Sequence, residues 1–297
     1  MAPLGLIRNF EPALDELARR GHAVQVLYRG PAPPAEAALA DEIHRRWPAV
    51  TFEAGPRPSG LRRKLAAAVR LALDWLRYRH PRYDQAPRLR ARAAGFVPPF
   101  LVYAGRAPGA PAILEWVLRR VERALPIPSE IDALFETDRP DVVLLTPLVA
   151  YGSEQVDVAR AARERGIPTV LGVASWDHLT TKGGIHEIPD RVVVWNERQK
   201  SEAVEHHQVP AERVVVTGAH SYDHWFGWPP RPRAEICGRA GLDPGKPYLL
   251  YLCSSPFIAP EERAFVERWL AALRRDSRLR EVGVLVRPHP QNAAQWR

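Results

Sequence analysis

The sequence is poor in cysteine, lysine and long apolar runs, and each shortage excludes something. Two cysteines are present, Cys237 and Cys253, which suits a reducing compartment; with no second Cys or His at ligand spacing, no metal site is expected. Cys253 lies in the apolar run YLLYLCSS and reads as a buried thiol on a strand. No stretch approaches the roughly 18 consecutive apolar residues of a membrane span. The opening MAPLGLIRNFEPALDELARRGH has no charged region, apolar core and cleavage site of a secretory signal, so a cytoplasmic location is expected. Lys64, Lys182, Lys200 and Lys246 are the only lysines, and the net charge of +8 comes almost wholly from arginine.

What is present is a chain of 297 residues, 46% hydrophobic and 26% charged, the composition of a folded α/β protein with room for two cores. β-branched and apolar runs predict strands at 23–28, 50–53, 141–146, 169–174, 191–195, 213–217, 248–253 and 283–287. Helical periodicity falls between them at 10–20, 35–47, 61–79, 112–136, 153–165, 197–207, 233–239 and 261–274. Alternation of this kind gives parallel sheets covered by helices. The phrases RRGHAVQVLY and RERGIPTVLGV each end a helix at glycine before a buried strand. Residues 95–111, with four prolines, predict a loop.

The expected organisation is one Rossmann-like domain over 1–220, a Pro/Gly-rich connection over 221–247, and the opening βαβ unit of a second domain over 248–297. The first domain opens on a loop and helix with no strand before them, and one crossover unit buries too little surface to stand alone, so both ends read as incomplete. A single domain with a small appendage is the alternative. The charge is uneven: 57–92 carries eleven Lys/Arg against Asp74 and Asp84, a patch suited to phosphates, an acidic polymer or an anionic membrane. Within it, Leu65, Val69, Ala72, Leu73 and Leu76 share one helical face while Arg62, Arg63, Arg70 and Arg77 fall largely off it. Peripheral contact with the inner membrane through 61–79 is therefore one expectation, and a core-facing helix with a solvated basic side is the other.

Candidate chemistry sits where strands end. Asn9 is placed to cap the first helix, and the loop before it, with Arg8, offers backbone N–H groups to an anion or a sugar hydroxyl. That loop has only Gly5, so a GxGxxG fingerprint for NAD or FAD is absent. The stretch resembles the first loop and helix of GT-B glycosyltransferases and their relatives. After the fourth strand, SWDHLTTKGG brings together Asp177, His178, Thr180, Thr181 and Lys182, with Trp176 able to stack on a sugar or base. The cycle DRVVVWN…VPAERVVVTGA, followed by Asp223, is similar to the end of the N-terminal domain in GT-B glycosyltransferases and UDP-N-acetylglucosamine 2-epimerases. VLVRPHPQN, with Arg287 and His289 at a strand end, is similar to the His-Pro motif of bacterial sialyltransferases, capsule-polymer transferases and glycerophosphotransferases. Ser254 and Ser255 stand where many GT-B enzymes carry a glycine-rich donor loop.

The resemblance implies a GT-B-like fold and transfer of a sugar from a nucleotide-activated donor to a hydroxyl acceptor on a glycan or lipid-linked carrier. It implies Asp177 or His178 as the base, Ser254, Ser255, Arg287 and His289 at the nucleotide phosphates, and Arg8, Asn9, Trp176, Lys182 and Asp223 toward substrate. No cofactor is expected beyond the nucleotide-sugar co-substrate, and nucleic acid is not an expected partner. The incomplete ends imply weak binding and no turnover by this stretch alone. A 2-epimerase is the nearest alternative, but LGVASWDHL lacks the glutamate of that family's HVEAGLR strand end. A non-catalytic module binding a membrane or polymer is the third.

Overall fold

Parallel pairing follows directly from helices that return the chain to the same sheet end. The computed structural model of the chain describes residues 3–105, 107, 109–256 and 258–296. They divide into two compact units, Met1–Phe226 and Gly227–Arg297. All eight expected strands are present, each within two residues of its expected ends, and every pairing among them is parallel.

In the first unit, a 3-10 turn over Leu4–Asn9 leads into α1 (Glu11–Arg19), β1 (Val24–Tyr28), α2 (Pro34–Arg46) and β2 (Val50–Ala54). β1 and β2 form a two-stranded sheet whose core holds Leu4, Ile7, Leu14, Ile43 and Val50. A helical segment follows: α3 (Gly60–Arg77), α4 (Pro87–Ala94), α5 (Pro99–Ala104), α6 (Ala110–Ala124) and α7 (Ser129–Asp138). Then β3 (Val143–Leu145), α8 (Gln155–Glu164), β4 (Thr169–Gly172), the short α9 (His178–Thr181), β5 (Arg191–Val194), α10 (Glu197–His207) and β6 (Val214–Val216) complete the unit's sheets. Their strand order is β3-β4-β5-β6. Val156, Ala159, Leu171, Val192, Val194 and Ala203 lie in the core of this Rossmann-like sheet. The glycines foreseen at helix ends, Gly21 and Gly166, have φ of 85° and 68°, the left-handed region that a side chain disfavours.

The second unit contains α12 (Arg233–Ala240), β7 (Tyr248–Leu252), α13 (Glu262–Arg275) and β8 (Gly283–Arg287), with β7 and β8 paired. The 221–247 stretch is not bare linker: it holds α11 (Asp223–Phe226) and α12, and the units divide inside it, after Phe226. Among the described residues, no helix is long and apolar enough to cross a membrane.

Proline explains two departures from the expected elements. The helix foreseen at 112–136 is two helices, because Pro126 and Pro128 push the residues before them out of helical geometry, and Leu125 sits at φ −68°, ψ 130°. The loop foreseen at 95–111 contains α5, and α4 precedes it. Both begin with proline in the first turn, where a missing N–H costs nothing. Arg106 and Pro108 of that stretch lie outside the described residues.

Helix α3 also departs from its sequence pattern. Its apolar face is spent on the core, with Val69, Ala72, Leu73 and Leu76 buried, leaving Leu61 and Leu65 exposed at its start. Its basic side is not simply solvated. Arg70, 1% exposed, bonds Glu122 of α6 and Asp157 of α8, and Arg62 also clasps Asp157. Burial acts to lower the Arg70 pKa and to raise that of Asp157, yet the paired charges outweigh it, so Arg70 is shifted up and Asp157 down. Removing one partner strands the other charges in a dry seam. Asp157→Ala is expected to cost about 3–5 kcal/mol, read as a lower urea midpoint, with Arg63→Ala at the exposed rim costing under about 1 kcal/mol.

Candidate functional site

The loop after β4 lies at the carboxyl end of the four-stranded sheet, where open α/β sheets take their ligands. Its shape is imposed from below by α3 and by the turn around Gly152. The Asp74 carboxylate, fully buried, accepts from the Gly152 and Gly184 N–H groups at 2.8 and 2.6 Å and lies 2.8 Å from His186 Nε2. Arg77 donates to the carbonyls of Leu179, Lys182 and Gly183 at 2.5, 2.7 and 3.1 Å, and the Tyr78 hydroxyl donates to Lys182 O at 2.5 Å. A guanidinium that satisfies three carbonyls at the end of a short helix replaces the bonds a longer helix would have made. Gly183 is tied to this arrangement, because a Cβ there would stand 2.7 Å from Asp74 Oδ1.

On that scaffold sit the expected loop residues. Trp176 is exposed. The Asp177 carboxylate accepts from Ser175 Oγ at 2.6 Å and Thr181 Oγ1 at 2.8 Å, with Lys182 Nζ at 3.6 Å. Burial acts to raise its pKa, but the hydrogen bonds from Ser175 and Thr181 and the charges of Lys182 and His178 prevail, and it titrates below the ordinary carboxylate value. His178 is buried, its Nδ1 lacks a protein partner, and desolvation holds its pKa below the usual imidazole value. At neutral pH the pair is therefore an ionised, already occupied carboxylate beside a neutral imidazole.

Asn9 joins this end of the sheet in a different role from the one expected. It does not cap α1, whose N-cap is Phe10. Its side-chain amide instead donates to Ala174 O at 2.8 Å, tying the opening 3-10 turn to the end of β4. Phe10 lies against Gly172, where a Cβ would come within 2.8 Å of the ring, and its ring centroid is 5.0 Å from that of His220. Arg8 is exposed, and Asp223 is exposed at the start of α11. Asn9, Trp176, Asp177 and His178 are thus brought to one end of the sheet.

In the second unit, Ser254, Ser255, Arg287 and His289 meet at the carboxyl ends of β7 and β8. The Ser254 N–H is already engaged, at 2.9 Å from both oxygens of buried Glu262, which also accepts from the Tyr251 hydroxyl. A carboxylate at this point opposes a phosphate, so the two serines are poorer anion ligands than their position suggested. Arg287 is exposed, and His289 Nδ1 accepts from the Gln291 N–H at 3.2 Å, which leaves its Nε2–H as a donor. Cys253 follows β7 partly exposed, its thiol pKa raised chiefly by desolvation, while Cys237 is fully buried. No group of three potential metal-ligating side chains occurs among the described residues.

A cavity of about 1050 Å³ opens elsewhere, lined by residues of α3, α6, α8 and α10. It reaches Thr169, Asp190 and Arg213, at the amino ends of β4, β5 and β6, opposite the 176–182 loop. Several arginines on its wall are committed to protein groups: Arg160 bonds the carbonyls of Glu122, Arg123 and Leu125, and Arg163 pairs with Glu187.

His207, the last residue of α10, is buried at the root of the site. Its Nδ1 accepts from the Ile185 N–H at 3.1 Å and its Nε2–H donates to Leu179 O at 2.7 Å. Burial and the nearby Arg77 charge push its pKa well below the ordinary value. The unfolded chain titrates these histidines near pH 6.5, whereas the folded protein keeps His178 and His207 neutral to lower pH. Between those limits the unfolded state binds more protons, so stability falls as pH drops below about 6.5. Urea midpoints taken from about pH 7 to about pH 5 are expected to fall, and His207→Gln to flatten that dependence.

No protein-family model matches the chain, and no curated protein matches it. Among solved structures it is similar to a UDP-N-acetylglucosamine 2-epimerase from Rickettsia bellii, with a TM-score of 0.35 and 14% sequence identity. That alignment covers 91% of this chain and 63% of the other, so this chain spans less than two thirds of its neighbour's length.

Proposed function

We propose that the chain is part of a GT-B-type glycosyltransferase that moves a sugar from a nucleotide-activated donor to a hydroxyl acceptor. One observation carries this reading: each unit gathers polar side chains of different chemistry at the carboxyl ends of its parallel strands. The first unit supplies a neutral imidazole, His178, beside the ionised Asp177, and an exposed Trp176 for stacking. The second supplies Arg287 and the Nε2–H of His289.

In this reading the first unit is the acceptor side and residues 248–297 belong to the donor side. His178 is the better base. Its ring is unprotonated at neutral pH, whereas Asp177 is weakened by its own hydrogen bonds. Asp177 then positions the loop through Ser175 and Thr181 and stabilises a protonated His178. Arg287 and His289 meet the charge that develops on the leaving phosphate, a bidentate guanidinium and a single N–H donor being suited to phosphate oxygens. This reading assigns Asn9, held to Ala174, to the acceptor with Trp176 and Lys182, and gives Arg8 and Asp223 the same role.

The test is a thermal-shift screen of UDP-, GDP-, dTDP-, CDP- and CMP-sugars. A ligand near 100 times its Kd adds about 2.7 kcal/mol to the stability of the state it binds, a rise of several degrees in Tm for a protein of this size. Stabilisation by one nucleotide class, lost in Arg287→Ala and His289→Ala, is the expected result. Stabilisation by none of the five classes overturns the reading, and stabilisation untouched by both variants overturns the phosphate assignment.

A further inference from the structure

The helical segment between β2 and β3 carries two features that no catalytic role absorbs. The first is apolar and exposed. On α6, Ile113, Trp116, Val117 and Arg120 recur at i, i+3, i+4 and i+7, forming one stripe. Ile113 is 68% and Trp116 60% exposed, and the Arg120 guanidinium lies 4.9 Å from the centroid of the Trp116 ring. The other sides of the same helix are already used. Leu114 and Leu118 pack into the core around Trp75 and Tyr78, while Glu115, Arg119 and Glu122 line the open cavity. Helix α5 repeats the pattern in miniature: Leu101 and Val102 pack inward, and Phe100 and Tyr103 stand 69% and 75% exposed.

The second feature is charge. Residues 57–123 hold fifteen Lys/Arg against four Asp/Glu, whereas the remainder of the chain holds twenty-seven against thirty. The protein's whole positive excess therefore belongs to the segment that exposes the aromatic stripe.

We propose that the outward faces of α5 and α6 form a docking surface for an anionic lipid bilayer. Aromatic rings with one polar edge and arginines with long apolar stems are the side chains that settle at a bilayer's headgroup level. An apolar stripe with Arg120 against its tryptophan, in the segment that holds the chain's positive excess, joins shallow insertion to attraction for acidic lipid. The stripe is not the apolar face of α3 that the sequence pattern suggested, since that face is spent on the core. The surface is independent of the donor and acceptor assignments above, and its test reads no catalysis.

Flotation of the full chain with phosphatidylglycerol/phosphatidylcholine vesicles and with pure phosphatidylcholine vesicles provides the measurement. Binding to the anionic vesicles that weakens with salt is expected, with little on the neutral ones. Trp116→Ser and, on the separate helix, Phe100→Ser are each expected to weaken partitioning about tenfold, while Leu61→Ser and Leu65→Ser at the start of α3 leave it intact. Circular dichroism of each variant confirms that it is folded. No binding to anionic vesicles, equal binding to neutral ones, or binding unchanged by both Trp116→Ser and Phe100→Ser overturns the proposal. So does a concentration-dependent dimer that Trp116→Ser abolishes, because a second copy would then be the occupant of the stripe.

Discussion

Everything at the carboxyl end of the main sheet depends on three charged residues along one side of α3. Arg70, Asp74 and Arg77 follow one another at i, i+4 and i+7, and each reaches across to a different part of the unit. Arg70 joins α6 to α8 through Glu122 and Asp157, Asp74 gathers Gly152, Gly184 and His186, and Arg77 gathers the carbonyls at the end of α9. Burying ions is costly in proportion to the hydration they give up, and a buried pair often gains little over apolar residues of the same size. What such a row does supply is geometry. Each carboxylate and guanidinium is satisfied only when the Gly152 turn and the 179–186 loop hold one position, so departures from it leave a charge unpaired.

That constraint has a chemical consequence in the loop it fixes. Asp177 and His178 are adjacent in sequence but meet opposite environments, and their pKa values move for different reasons. Asp177 is ringed by donors and stays ionised, while His178 is desolvated and stays neutral. The division arises from burial and from the Ser175 and Thr181 hydroxyls. The Asp74 and Arg77 contacts one shell further out hold the backbone that carries both.

Local signals marked the sheets well and the network badly. Runs such as VVVW and VVVT, and glycines placed after helices, are signals that survive in any tertiary context, and they located each strand to within two residues. Arg70 illustrates the opposite case. Four residues from Asp74 on an amphipathic helix, it looks the same in sequence whether solvated or buried, and its partners are 52 and 87 residues away. Asn9 is a similar case: a cap is a local bond that spacing suggests, but its amide finds Ala174, 165 residues distant. Helices α4 and α5 were obscured by their prolines, which are as much at home in the first turn of a helix as in a loop. Glu262, which takes up the Ser254 N–H, carried no signal beyond an acidic residue in the first turn of a helix.

Arginine content has a second meaning once the structure is considered. Arg160 clasps three carbonyls where α6 ends, Arg62 donates to Pro126 O at that same break, and Arg77 does likewise for α9. A donor-only side chain with five N–H groups suits the unsatisfied carbonyls left when a helix is cut short. Several of the chain's positive charges are therefore internal clasps, and net charge read from composition overstates the field at the surface. The excess over 57–123 survives that correction. Setting aside Arg62, Arg70 and Arg77 as internal, together with the buried Asp74 and Glu122, still leaves twelve cations against two anions in that segment. Within the same helices, arginines such as Arg70 and Arg77 close the fold while Arg120 lies exposed, and only arginines of the latter kind bear on what the surface attracts.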